Sequence, residues 1–109
     1  MSDILESDWQ YLKNQKKALL DRLCNRILDN IQAECNLEKR KPDAHEQYLK
    51  VYHHIERWDK LVADCFDDWR RSTIIYKILF LIKHQVITNE ELAQLSDETK
   101  EHLKFLLGS

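Results

Sequence analysis

Cysteine, histidine and aspartate side chains are the groups in this sequence that could catalyse a reaction or bind a metal ion. The three cysteines, Cys24, Cys35 and Cys65, have no CxxC spacing and no flanking glycine loop that would present an activated thiolate. Their position on apolar helical faces predicts small buried or half-buried thiols, and we expect no disulfide. Cysteine chemistry therefore gives no support for an enzyme.

The histidines and the adjacent acids are equally weak evidence for a catalytic or metal site. His53 and His54 are neighbours, and adjacent helical residues point about 100° apart, so they cannot share a metal ion as residues at i and i+4 can. The other three histidines are scattered, without HExxH or ExxH spacing. Asp67 and Asp68 are explained by helix capping and the helix dipole. We predict a non-catalytic protein without a metal ion or other cofactor.

A tryptophan followed by two arginines, Trp69-Arg70-Arg71, indicates a binding surface instead. Aromatic residues and arginine are enriched where proteins contact proteins. Charged residues make up 33% of the chain, both signs are interspersed and the formal net charge is −2, so no overall basic surface favours nucleic acid or an anionic membrane. The residue types therefore favour a protein partner.

A nucleic-acid-binding regulator is the alternative, because residues 88–107 are spaced like a helix-turn-helix with Lys100, His102 and Lys104 on the second helix. Asp97 and Glu98 lie at the start of that same helix and would repel phosphates. The helix also lacks an arginine or glutamine for base contacts. Nucleic acid is therefore the less favoured partner.

The elements that must position these residues are helices. With one glycine and one proline the chain has almost no turn signals, and the apolar residues recur at helical spacing, so we predict an all-α fold. The first predicted helix extends from Leu5 to about Asn36 with Ser7 or Asp8 as its cap, and a loop follows at Pro42. The second extends from Ala44 to Phe66 with Asp43 as its cap, and the third covers 69–86 with Asp67 or Asp68 as its cap. A short helix then begins at the Thr88 capping box, and the last helix, from Asp97 to Leu107, follows Ser96 and ends at Gly108.

The first helix predicts self-association. At about 1.5 Å per residue it would be roughly 45 Å long, whereas a compact domain of this size has a radius of gyration of about 13 Å. Part of its apolar stripe must then lie beyond the rest of the chain, where a second copy can cover it. The predicted interface residues on this stripe are Trp9, Leu12, Leu19, Leu23, Ile27 and Ile31.

The second half of the chain carries a longer pattern: an aromatic residue, two aspartates, an arginine, a serine, an apolar helix, Glu-Glu-Leu and a final basic helix. The matching residues are Phe66-Asp67-Asp68, Arg70 or Arg71, Ser72, Ile75, Leu81, Lys83, Glu90-Glu91-Leu92, Leu95, Lys104 and Leu106. This pattern resembles the fluorescence recovery protein family of cyanobacteria, and the match continues more weakly upstream to Trp9. Members are small helical dimers that bind the photoactivated orange carotenoid protein and hasten its return to the resting state.

The resemblance implies one domain over residues 1–109, with a dimeric stalk at about 5–65 and a helical head at about 66–107. It adds Leu49 and His53 to the expected dimer interface. A functionally important phenylalanine and lysine of the family align with Tyr76 and His102. The expected client surface on the head is Trp69, Arg70, Arg71, Tyr76, His102 and Lys104. The expected function is a non-catalytic homodimeric regulator that binds a carotenoid protein, or a different client, and biases its conformation.

Location follows from the apolar segments. The first eight residues are acidic and lack the basic and apolar regions of a secretory signal, so we expect a cytoplasmic protein. The apolar run 74–82 is interrupted by Lys77 and is far shorter than the roughly 20 residues of a membrane span. We predict that this run is a core helix and that the protein has no membrane partner.

Overall fold

The fold is known from a computed structural model, which describes residues 4–36 and 43–108. Within these residues the chain forms the helices α1 (Glu6–Cys35), α2 (Ala44–Phe66), α3 (Ile74–Lys83), α4 (Asn89–Leu92) and α5 (Asp97–Leu106). The predicted all-α fold is confirmed, with one long N-terminal helix followed by shorter C-terminal helices. The loop predicted at Pro42 lies outside the described residues.

Three of the predicted helix caps are confirmed. The Asp43 carboxylate accepts a hydrogen bond from Glu46 N at 3.1 Å at the start of α2. Thr88 and Glu91 form the predicted capping box of α4, with Glu91 N donating to Thr88 Oγ1 at 3.1 Å and Thr88 N donating to Glu91 Oε1 at 2.8 Å. Ser96 Oγ accepts from the amide of Thr99 at 3.2 Å and begins α5.

The segment before α3 differs from the prediction of a helix over 69–86. Asp67 is the C-cap of α2, and Asp68 has a φ of 58°, which breaks the helical path. Thr73 Oγ1 then accepts from Arg70 N at 3.2 Å and donates to the carbonyl of Asp68, forming a turn. The prediction that Asp67 or Asp68 caps α3 is therefore wrong. These aspartates end one helix instead of beginning the next.

The start of α1 also differs from the prediction. Leu5 is the N-cap and provides no side-chain hydrogen bond, while Ser7 and Asp8 lie inside the helix. Asp8 is buried, and its carboxylate accepts from Ser96 N at 2.8 Å, Ser96 Oγ at 2.6 Å and Thr99 Oγ1 at 2.7 Å. The residue predicted as a cap therefore joins α1 to the first turn of α5.

Two hydrophobic clusters hold α3, α4 and α5 against the first two-thirds of α1. One cluster contains Leu19, Leu23, Cys65, Phe66, Leu81, Val86 and Ile87. The other contains Trp9, Leu12, Ile74, Ile78, Leu95 and Leu103. Since α3 contributes to both, it is the central helix, as its apolar sequence predicts. On α3, Tyr76 has 62% of its surface exposed, and Lys83 is exposed at the end of the helix.

Two arginines one turn apart on α1 bind the chain that connects α3 to α4. Arg22 donates two hydrogen bonds to the Glu91 carboxylate, both 2.8 Å, and one to the carbonyl of Val86 at 2.7 Å. Arg26 donates to the carbonyls of His84 at 2.8 Å and Gln85 at 2.7 Å. These contacts satisfy carbonyls in the connection that follows α3, where no helix supplies a hydrogen-bond donor.

The rest of α1 and most of α2 form a two-helix arm, defined here as residues 24–35 and 44–64. None of the arm's side chains is buried. The chain measures 56 × 26 × 23 Å and has a radius of gyration of 17.4 Å, against about 13 Å for a compact domain of this length. The molecule is therefore elongated, and its arm has no hydrophobic core of its own.

Among the helices in the described ranges, none combines the length and the apolar character needed to cross a bilayer.

Candidate protein-binding surfaces

The residues predicted for the dimer interface divide into two groups. Trp9, Leu12, Leu19 and Leu23 are 0–8% exposed because the end of α2 and the segment from α3 to α5 of the same chain cover them. They offer no surface to a second copy in this conformation. The other four predicted interface residues lie on the arm and retain exposed surface. Ile27, Ile31 and Leu49 are half-buried, and His53 is exposed.

One side of the arm contains a groove of about 820 Å³ between α1, α2 and the end of α3. Its lining residues are Asn30, Ile31, Glu34, His54, Arg57, Trp58, Lys60, Leu61, Asp64 and His84. His54 Nδ1 lies 2.7 Å from the nearer Glu34 carboxylate oxygen and joins the two helices across the groove. Sequence patterns did not predict this groove, because it exists only where the two helices cross.

The opposite side of the arm exposes four large apolar side chains, which we call the arm face: Leu28, Tyr48, Tyr52 and Ile55. Tyr48, Tyr52 and Ile55 follow each other at four and three residues and form one stripe on α2. On α1, Leu28 lies about 200° from the groove residue Asn30 and about 60° from Ile31 on the groove floor, so it borders the side of the arm that faces away from Asn30. Their exposed fractions are 46–63%. An apolar face this open is typical of a surface that another molecule covers.

Trp69, predicted to bind a client, is half-buried between the two hydrophobic clusters. Its ring stacks on Phe66 with centroids 5.5 Å apart, and Lys16 Nζ lies 5.7 Å from its centroid. Within the described chain, Trp69 Nε1 is buried without a hydrogen-bond partner. Most of this side chain therefore serves the fold, and only its edge is available for binding.

Arg70 and Arg71, predicted beside it, are engaged within the chain. Arg70 donates to the Asp68 carboxylate at 3.0 Å. Arg71 donates to the Glu6 carboxylate at 3.1 and 3.0 Å and lies over the Trp9 ring at 5.4 Å. These hydrogen bonds lower the pKa of Glu6 and of Asp68. Both ion pairs are exposed, so water screens them and they contribute little to stability.

The uncovered part of the predicted client surface is formed by α3 and α5, which share a hydrophobic cluster. Tyr76 and Lys104 are exposed, and His102 is half-buried. Phe105, which the sequence pattern did not predict as a surface residue, is 77% exposed and lies beside Lys104. Apolar spacing alone could not reveal it, because an exposed phenylalanine and a core phenylalanine have the same pattern. The head therefore presents two exposed aromatic rings and a cation.

In the helix-turn-helix alternative, α5 would be the recognition helix, and its first turn is acidic. Asp97 and Glu98 are exposed in the first turn, where a recognition helix contacts bases. Lys100 Nζ lies 3.5 Å from Asp97 and 3.4 Å from the carbonyl of Ala93. Thr99 is buried against Asp8. The first turn of α5 therefore presents carboxylates, which repel phosphates.

The cysteines match the predicted burial in part. Cys65 is buried, which raises the pKa of its thiol, and Cys24 is half-buried. Cys35 is exposed near the end of α1, contrary to the prediction, because the arm leaves that turn uncovered. In the part of the chain that the structure describes, no cluster of three or more His, Cys, Asp or Glu side chains could hold a metal ion.

Comparison with protein-family models, curated protein sequences and solved structures gives no match for this chain. The resemblance of residues 66–106 to the fluorescence recovery protein family therefore remains a prediction from the sequence.

Proposed function

We propose that this chain is a non-catalytic, cytoplasmic homodimer that binds a client protein and biases its conformation. The observation that carries the proposal is the arm face, where Leu28, Tyr48, Tyr52 and Ile55 are about half exposed on a two-helix arm that has no buried side chain. Pairing two arm faces covers all eight side chains with the same surface from a second copy. Such an isologous contact is the commonest form of protein self-association.

The exposed area agrees with a dimer of ordinary size. A large side chain that is 46–63% exposed leaves on the order of 100 Å² open. Eight such side chains, four from each copy, contribute roughly 800 Å². A standard interface of about 1,600 Å² is slightly more than half apolar, or roughly 900 Å². The arm face therefore supplies nearly the whole apolar part of one standard interface.

The head is the proposed client surface. Tyr76, Lys104 and Phe105 combine aromatic rings and a cation on two adjoining helices, which suits a protein partner. The resemblance of residues 66–106 makes a carotenoid protein the first client to test. The regulator would act by binding one conformation of the client more tightly than another, because only differential affinity shifts an equilibrium.

The dimer is tested by light scattering on the purified chain at micromolar concentration. We expect the mass of two chains for the wild type and of one chain for the double variant Tyr48→Ala, Tyr52→Ala. The matched control is Tyr76→Ala, which removes an equally exposed tyrosine from the head and should leave the dimer intact. A wild type that is monomeric at this concentration would refute the dimer.

The client is tested by adding the protein to a photoactivated orange carotenoid protein and following its return to the resting state by absorbance. We expect faster recovery with the wild type and a loss of at least tenfold of that effect with Tyr76→Ala. The control is the conservative Tyr76→Phe, which keeps the ring and should keep the activity. Unchanged recovery with the wild type would remove the carotenoid protein as the client without affecting the dimer.

A further inference from the structure

The groove on the arm is long enough to bind one helix. It extends along α2 from His54 to Asp64, and at about 1.5 Å per residue this is roughly 15 Å, or nearly three helical turns. Its floor is formed by Ile31, Trp58 and Leu61, which are half-buried. A third helix fits between two packed helices when it places an apolar stripe in such a groove.

Three side chains of the groove have no partner within the described part of the chain. The Trp58 indole makes no hydrogen bond or ring contact there, and the side chains of Arg57 and Lys60 make no hydrogen bond or ion pair there. Tryptophan and arginine are the residue types that most often dominate the binding energy of protein interfaces. Their adjacency in an open groove therefore indicates binding more than folding.

The charges around the groove favour a helix that carries carboxylates. Glu34 on the α1 side lies 2.7 Å from His54 and is engaged by it, and its neighbour Asn30 is uncharged. On the α2 side, Arg57 and Lys60 line the edge, and Asp64 lies beyond them at the end of the groove near His84. Carboxylates on a bound helix would meet Arg57 and Lys60 along the middle of the edge, where lysines would be repelled.

The groove and the arm face are on opposite sides of the arm. On α2, at about 100° per residue, Arg57 points about 140–180° away from Tyr48 and Tyr52, and Lys60 points about 80–120° away from them. A second copy on the arm face therefore leaves the groove open. We propose that the groove binds an amphipathic helix of the client protein, whose apolar stripe covers Trp58 and whose flanking carboxylates pair with Arg57 and Lys60. This inference rests on the proposed function, because the helix bound in the groove is part of the client protein.

The probe is a synthetic peptide of roughly 18 residues, long enough to form a helix, with one leucine stripe flanked by glutamates. A matched peptide has lysines in place of the glutamates. Each is titrated into the ¹⁵N-labelled protein, whose three tryptophans give three indole N–H signals. We expect the glutamate peptide to shift the Trp58 signal and to leave those of Trp9 and Trp69 in place. The lysine peptide should bind at least tenfold more weakly.

The variant Arg57→Gln, Lys60→Gln should weaken binding of the glutamate peptide at least tenfold. Both side chains are exposed and make no hydrogen bond or ion pair with residues 4–36 or 43–108, so the fold should survive the change. The charge-matched control Lys104→Gln on the head should bind as the wild type does. A Trp58 signal that does not move, or equal affinity for the two peptides, would overturn the proposal.

Failure of the groove and failure of the dimer give different results. If the double variant Tyr48→Ala, Tyr52→Ala still binds the glutamate peptide, the groove acts independently of the arm face, as proposed. If Arg57→Gln, Lys60→Gln turns the dimer into a monomer, the groove is the contact between copies, and the proposal of a client helix is wrong. A monomeric wild type that binds the peptide would refute only the dimer.

Discussion

Replacement of Glu91 by glutamine should destabilise the protein at neutral pH and have little effect at acid pH. Glutamine keeps an oxygen that can accept from Thr88 N, so the capping box persists, but the charge pair with Arg22 is lost. Arg22 and Thr88 lower the pKa of Glu91 from 4.5 to about 2, with the Arg22 hydrogen bonds as the largest cause. The perturbation therefore isolates one ion pair between α1 and α4.

The magnitude follows from that pKa. The difference between 4.5 and about 2, at about 1.4 kcal/mol per pKa unit, corresponds to roughly 3 kcal/mol. The side chains of Arg22 and Glu91 are 37% and 19% exposed, so solvent screening reduces the expected loss to about 2 kcal/mol. Because the folded-state pKa lies below the unfolded one, this stabilisation is complete above about pH 5 and disappears as the pH falls towards 2.

The assay is urea unfolding followed by circular dichroism, at pH 7 and at about pH 2.5, with the protein concentration fixed because a dimer's stability depends on it. We expect Glu91→Gln to unfold about 2 kcal/mol more easily than the wild type at pH 7, with the difference reduced to well under about 1 kcal/mol at pH 2.5. Glu90→Gln is the matched control, since Glu90 is exposed, and it should change little at either pH. An equal loss for Glu91→Gln at both pH values would refute the role of its charge.

Three further outcomes are expected. Asp8→Asn should lower the free energy of unfolding by about 1–3 kcal/mol, because one carboxylate oxygen that accepts hydrogen bonds from Ser96 and Thr99 is replaced by a donor. Faster amide hydrogen exchange in α5 would show this loss of stability, and unchanged exchange would contradict the prediction. Leu23→Ala should cost about 2–5 kcal/mol in urea unfolding, whereas Leu28→Ala should cost little stability and instead weaken the dimer in dilution experiments. A thiol reagent should modify Cys35 before Cys65, since burial raises the pKa of the Cys65 thiol; mass mapping of the first modified peptide decides the order.

The parts of the fold that depend on local chemistry were predictable from the sequence. The ends of α2, the capping box at Thr88 and the stop at Gly108 follow from single residues acting on their own backbone. The error at α3 arose because Asp67 and Asp68 resemble the start of a helix as closely as the end of one. Their outcome depends on the turn that Thr73 closes with Arg70 N and the Asp68 carbonyl, a local arrangement that helix-capping preferences alone do not predict.

The binding surfaces were less predictable, because periodicity shows that a helix face is covered without showing what covers it. The apolar stripe of α1 was expected to meet a second copy, yet Trp9 and Leu23 are covered by residues that lie more than 40 positions away in the same chain. The arm face and the groove depend on how far α3 to α5 reach along α1. That reach is fixed by long-range contacts such as Arg22 with Glu91, which no local pattern contains.

The central claim is that two copies meet through their arm faces, and intermolecular nuclear Overhauser effects in a dimer of one isotope-labelled and one unlabelled chain test it directly. We expect cross-copy contacts at Leu28, Tyr48, Tyr52 and Ile55, with none at Trp58 in the groove. Cross-copy contacts confined to the groove or to the head would contradict the claim, as would the absence of any contact between copies.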